Sequence, residues 1–207
     1  MLLLINNSTN GNVLSFIFQV RKALKEQNIP YIERNKIDES IILMKDKIKG
    51  IILSGSPMML RENILQDYVA DIYYISHLNV PVLGICFGCQ LLTVLNGGSL
   101  ESRSKLFCET VPIEYAPGHM LFKNLPVNPH LKFCFNDLPV APKKSKIVKE
   151  IAWIDVAIGK ENVKRDKTSR HAIAFQFSPT MFAILGHPEL HQYSWPIYKN
   201  FANFCKV

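Results

Sequence analysis

The chain has 207 residues, 48% apolar and 20% charged, which excludes a disordered, collagenous or coiled-coil chain and leaves one domain, residues 1–207, as the expectation. Its net charge is +7, but 18 of its 24 basic residues are lysine, and base readout leans on arginine; the clusters at Lys143, Lys144, Lys146 and Lys149 and from Lys160 to Arg170 read as solvated faces, not a nucleic-acid surface. No apolar run reaches the roughly 20 residues of a membrane span, Met1 to Ile5 is too short for a signal peptide, and an odd number of cysteines, five, argues against a disulfide framework and for the cytoplasm.

Short apolar runs alternate with helical patterns, the signature of an α/β domain with a parallel sheet. Leu2 to Asn6 is the first strand. Val13 to Gln27 is a helix, with Val13, Phe16, Ile17, Val20 and Leu24 on its apolar face. Tyr31 to Arg34 is a short strand, and Gly50 to Gly55 a buried one that runs into a turn. A helix is predicted from about Asn63 to His77. The strand Pro81 to Cys86 leads directly into a helix, Phe87 to Leu95, closed by Asn96-Gly97-Gly98. After Ser99 the texture changes. Thr110 to Glu114, Leu131 to Phe135, Ala152 to Ile158, His171 to Phe177 and Met181 to Leu185 read as strands separated by Pro and Gly, so this half is antiparallel or mixed. Tyr193 to Cys205 is a terminal helix. The expected fold is α/β: a doubly wound, mostly parallel sheet with an elbow nucleophile, extended by mixed or antiparallel strands in the second half.

Gly84-Ile85-Cys86-Phe87-Gly88-Cys89-Gln90 carries the chemistry. A strand–turn–helix elbow presents its central side chain at the carboxyl edge of a sheet, where open α/β sheets bind ligands. Gly84 and Gly88 let it close without collision. A thiol at a helix N-terminus feels the positive end of the dipole, which favours thiolate, and the free N–H groups there suit an oxyanion. A nucleophile needs a base and an orienting group. His187-Pro188-Glu189 follows the last apolar strand. With both residues extended, His187 and Glu189 point to one side, so the Glu holds the imidazole while its other nitrogen faces Cys86.

Together these blocks resemble the class I, or triad-type, glutamine amidotransferase family. Its pattern is a G-x-C-x-G-x-Q elbow followed about one hundred residues later by His-Pro-Glu, and here the interval from Cys86 to His187 is 101. Gly50 to Pro57 is similar to the family's S-G-G-P loop, with Ser56 at the second glycine. Nearly the whole chain takes part. Within the family it looks nearest to the amidotransferase domain of GMP synthase and its stand-alone relatives, on Leu121 to Pro126 and His171 to Glu189.

The resemblance implies a glutaminase that needs no cofactor. Cys86 would attack the γ-carboxamide of glutamine, His187 would protonate the departing ammonia and Glu189 would orient His187. The oxyanion would rest on the backbone N–H groups of Ser56 and Phe87. Gly55 and Gln90 would help place substrate. Ammonia would pass to an ATP-pyrophosphatase synthetase partner, in purine biosynthesis if the GMP-synthase likeness extends that far. Three departures are expected to matter. Ser56 would be strained if its position required positive φ. Leu185-Gly186 replaces the usual Gln-Phe. Cys134-Phe135-Asn136-Asp137 stands where GMP synthases carry Ser-His-Gly-Asp. The alternatives are a stand-alone γ-glutamyl hydrolase or peptidase of the same fold, favoured by Ser56, and a retired regulatory module.

Two rival motifs carry less weight. Cys86-Phe87-Gly88-Cys89 is a C-x-x-C, but redox chemistry gives His-Pro-Glu no role. His187 and His191 have a metal-ligand spacing only on a regular helix, which Pro188 opposes, so no metal is expected.

Overall fold

The computed structural model describes residues 1–8, 16–60, 68–142, 145–156 and 168–207. The predicted helix starts at Val13 and Asn63, the strand end at Ile158, Lys143, Lys144 and most of the basic stretch after Lys160 lie outside them.

Four short strands, β1 (Leu2–Ile5), β2 (Tyr31–Arg34), β3 (Gly50–Leu53) and β4 (Val82–Ile85), lie parallel. Three of them, β1, β3 and β4, are buried along their whole length, as strands covered on both faces must be. Between them run α1 (Phe16–Glu26), α2 (Glu39–Leu43) and α3 (Val69–Leu78). Helix α1 turns Ile17, Val20, Ala23 and Leu24 inward. The five-residue α2 carries too few apolar residues for periodicity to reveal it; the side chain of Asp38 caps it by accepting from the Ser40 N–H.

After β4 comes α4 (Phe87–Leu95). It ends where the sequence predicts. Gly97 takes φ +80°, and the N–H groups of Gly97 and Gly98 return to the carbonyls of Val94 and Thr93, the paired bonds of a Schellman cap.

The second half holds β5 (Ser99–Phe107), β6 (Thr110–Pro112), β7 (Glu114–Tyr115), β8 (His130–Lys132), β9 (Phe135–Val140), β10 (Lys149–Val156), β11 (Ser169–Ser178) and β12 (Met181–Ile184), then α5 (Pro196–Phe204). The main sheet has the order β2-β1-β3-β4-β12-β11-β10-β7. Strand β12 pairs parallel to β4, while β11, β10 and β7 add antiparallel pairs. This is the doubly wound, mostly parallel sheet with a mixed extension that the sequence implies.

Four details differ from the sequence reading. The run Thr110 to Glu114 is two strands, β6 pairing with β8 and β7 with β10. The run Leu131 to Phe135 is two strands, because the chain changes partner there: β8 pairs with β6, and β9 with β5. Strand β5 has no counterpart among the expected strands; its Ser99-Leu100-Glu101-Ser102 start lacks a clean apolar face. The last helix begins at Pro196, after a separate 3₁₀ turn over Gln192–Ser194, since proline suits a first helical position.

The strand order reverses between β2 and β3, with β1 as the pivot, so the carboxyl ends of β1, β3, β4 and β12 open on one crevice. Among the described residues no helix is long and apolar enough to cross a membrane.

Candidate active site

The ends of β3, β4 and β12 supply the site. Cys86 closes β4 and stands at the N-terminus of α4 with φ +49° and ψ −102°. A non-glycine residue there carries about 1–3 kcal/mol of backbone strain, which the surroundings must hold. They do so by contact. A Cβ on Gly84 would lie 2.5 Å from the Gly88 carbonyl oxygen, and one on Gly88 2.6 Å from that of Leu53. The elbow therefore packs backbone on backbone. The Cys86 N–H donates to Ile184 of β12 at 2.9 Å, and the Cys86 carbonyl accepts from the Gln90 N–H at 3.0 Å.

His187 lies three residues beyond Ile184, the last residue of β12. Its N–H donates to the Lys132 carbonyl at 2.8 Å, and its ring is wholly buried. Nδ1 meets Glu189 Oε1 at 2.8 Å. The route to that contact differs from the expected extended one. Pro188 opens a 3₁₀ turn over Pro188–Leu190, and Glu189 reaches back to the ring from inside it. The fixed φ of proline starts such a turn readily.

Glu189 is itself held from α5. Tyr198 Oη donates to Oε2 at 3.0 Å, and Trp195 Nε1 donates to the Glu189 carbonyl at 3.0 Å. Both carboxylate oxygens thus have partners although the residue is 1% exposed. Burial, with the neighbouring Glu189 adding to it, pushes the Tyr198 hydroxyl well above its ordinary pKa, so it serves Glu189 as a donor.

His187 Nε2 is buried with no formed hydrogen bond, and Cys86 is the group that acts on it. Burial alone drives the imidazole toward neutrality; the charges of Cys86 and Glu189 and the hydrogen bond to Glu189 outweigh it, and the pKa rises to about 10. A Cβ on Gly55 would sit 3.2 Å from His187 Cε1 and 3.4 Å from Cys86 Cβ, so Gly55 marks the seam between base and nucleophile. Phe16, at the start of α1, covers the imidazole with ring centroids 4.1 Å apart.

These groups face a cavity of about 430 Å³. Gly55, Ser56, Cys86 and Gln90 line it; Phe87, on the helix side of the elbow, is buried. Ser56 is absent from the residues with positive φ, so serine stands there without left-handed strain. Its Oγ accepts from the Met58 N–H at 3.1 Å. Gln90 is committed in part: its Nε2 donates to the Asp137 carbonyl at 2.7 Å and ties α4 to the opposite wall.

That wall is Cys134-Phe135-Asn136-Asp137, and the Cys86 thiol points to the Cys134 carbonyl at 3.8 Å. Gly186 makes room beneath it, since a Cβ there would lie 3.0 Å from both Leu131 and Phe133.

The sequence offers no signal for Tyr198 or Trp195, which sit in an ordinary apolar helix region, and Phe16 reads there as a core residue. Cys89 is wholly buried within α4, and burial raises its thiol well above the ordinary pKa. His191 stacks on Tyr193 at 5.1 Å, and among the described residues no three His, Cys, Asp or Glu side chains are grouped to hold a metal.

The family model for class-I glutamine amidotransferases matches residues 11–192. The glutamine-hydrolysing GMP synthase subunit of Methanococcus maripaludis strain C6 is 26% identical over 99% of this chain and 97% of its own length. The GMP synthase of Campylobacter jejuni NCTC 11168 is 29% identical over 90% of this chain, which spans 34% of that longer protein. A Thermoplasma acidophilum structure, provisionally named as the corresponding GMP synthase subunit, aligns with a TM-score of 0.76 over 99% of this chain and 93% of that one, at 21% identity. The glutaminase domain of Trypanosoma brucei CTPS aligns at 0.64 over 99% and 94%, at 10% identity. Those two structures speak to the fold. The match of the family model over most of the chain places it in the class-I glutamine amidotransferase family.

Proposed function

We propose that this single domain is the glutamine-hydrolysing component of an ammonia-transferring system of GMP-synthase type. The observation that carries the reading is the buried Glu189–His187 pair, whose free ring nitrogen is left to a strained cysteine at the mouth of a cavity.

Cys86 sulfur attacks the γ-carbonyl carbon of glutamine. The carbonyl electrons move to oxygen, which the backbone N–H groups of Ser56 and Phe87 receive. His187, whose pKa Cys86 and Glu189 raise to about 10, gives its proton to the leaving nitrogen, and the C–N bond breaks to release ammonia. Water, deprotonated by His187, then cleaves the thioester to glutamate and returns the thiolate. Glu189 fixes the tautomer and balances the imidazolium charge, and Tyr198 holds Glu189. A free catalytic thiol suits a reducing compartment such as the cytoplasm.

The near full-length likeness to the Methanococcus maripaludis GMP synthase subunit supports a synthetase as the ammonia acceptor. A second reading, a stand-alone γ-glutamyl hydrolase, is favoured by one feature of the cavity. Met58, Met59, Leu106 and Phe135 give it an apolar side suited to the side chain of a residue that follows a γ-glutamyl group.

Adding an ATP-pyrophosphatase partner with its nucleotide substrates separates the two. A rise of tenfold or more in glutamine turnover supports the first reading. Turnover indifferent to the partner, with γ-glutamyl peptides cleaved faster than glutamine, supports the second.

A further inference from the structure

Cys108 follows β5 and is exposed; Cys134 lies between β8 and β9 and lines the cavity. In the sequence they are 26 residues apart with no motif between them. In the fold their sulfurs are 2.6 Å apart.

The backbone holds them there. Lys132 Nζ donates to the Cys108 carbonyl at 2.9 Å, and the Phe133 N–H donates to the Glu109 carbonyl at 2.8 Å. On the other side of the thiols, Phe107 pairs with Phe135. A disulfide has its sulfurs about 2.05 Å apart, so bond formation asks the two sulfurs to close by roughly half an ångström. Cys89, the other partner that the C-x-x-C spacing offers to Cys86, is wholly buried inside α4.

We propose that Cys108 and Cys134 are an oxidation site on the wall of the catalytic cavity, closing under peroxide to a reversible disulfide that pins the 132–137 segment beside Cys86. The exposed Cys108 sulfur attacks peroxide, the O–O bond breaks, and the products are a sulfenic acid and water. The Cys134 sulfur then displaces the hydroxyl from Cys108 sulfur, its proton leaving with that oxygen as a second water. Two thiols lose two electrons in all, and one peroxide gains them. A dithiol reductant reverses the step. Exposure assigns the first attack to Cys108 and the resolving role to the half-buried Cys134, whose thiol burial raises to about 12.

The consequence for activity rests on the function proposed above. Cys134 carries the carbonyl that faces the Cys86 thiol, so a pinned wall resists the adjustment by which a substrate enters.

The test treats the reduced full chain with stoichiometric hydrogen peroxide, maps non-reduced peptides by mass, and follows labelling of Cys86 by a glutamine-like diazo-ketone. The expected results are a Cys108–Cys134 cross-linked peptide, loss of two titratable thiols restored by dithiothreitol, a Tm higher by roughly 5–10 °C in the oxidised form, and Cys86 labelling slowed threefold or more. Cys108→Ser labels at the reduced rate before and after the same dose. Oxidation that falls on Cys86 while Cys108 and Cys134 stay reduced, or a cross-link between two chains, would overturn the proposal; a disulfide form that labels at the unoxidised rate would overturn its gating half. The cross-link is read by mass, so it stands or falls apart from whether glutamine is the substrate.

Discussion

Glu189 decides how His187 can act, because it occupies Nδ1 and leaves Nε2 for Cys86. In Glu189→Gln the amide keeps the shape but loses the charge that balances the imidazolium. Glutamine turnover should fall by about 10²–10⁴, with a much smaller change in KM, as steady-state kinetics would show. The coupling to Cys86 makes a second prediction, with a sign. His187 has a pKa of about 10 against an ordinary 6.5, so the folded state favours the imidazolium. That contribution to stability is complete below about pH 6.5 and is lost as pH rises toward 10. Cys86→Ala removes one of the two charges that raise the value. Its His187 ring should therefore titrate at lower pH, and its stability should decline less steeply above neutrality. NMR titration of the imidazole C–H signals and Tm measured against pH would check both; a His187 titration unmoved by the substitution would show that Cys86 does not face the ring.

Whole elements hold these few atoms in place. The elbow depends on β4 meeting α4 backbone to backbone, so Gly84→Ala forces a Cβ to 2.5 Å from the Gly88 carbonyl oxygen. About 3 kcal/mol of stability should be lost, visible as a lower urea midpoint, and labelling of Cys86 should fall with it. Helix α5 acts from behind. Tyr198→Phe keeps the packing but withdraws the donor from Glu189 Oε2, and kcat should drop roughly tenfold with Tm nearly unchanged; restored turnover in a variant that keeps a donor there would assign the loss to the hydrogen bond. The contrast explains what is legible in the sequence. The elbow, the His-Pro-Glu block and the parallel strands are visible because a tight turn needs its glycines in fixed places and buried strands need unbroken apolar runs. Tyr198 and Phe16 are not, since an aromatic residue on an apolar helix face looks the same whether it fills the core or supports a catalytic group. The wall from Cys134 to Asp137 is hidden differently: the chain changes pairing partner after Lys132, and a partner change leaves no local pattern. The Cys108–Cys134 contact joins two strands' ends across 26 residues, a long-range fact that spacing does not encode.

At the scale of the molecule, the sheet gathers the ends of β1, β3, β4 and β12 onto one crevice, and in the proposed reaction the ends of β3, β4 and β12 bring the oxyanion loop, the nucleophile and the base. The central claim is that Cys86 is the nucleophile of a glutaminase. The most direct measurement is incubation with a glutamine-like diazo-ketone, read by intact mass and peptide mapping, with ammonia release from glutamine followed in parallel with and without an ATP-pyrophosphatase partner. The account predicts one adduct per chain, on Cys86, with loss of ammonia release in proportion to labelling and no adduct in Cys86→Ala. Folded protein that takes up no label at Cys86 and releases no ammonia, even with the partner and its nucleotide substrates present, would contradict it.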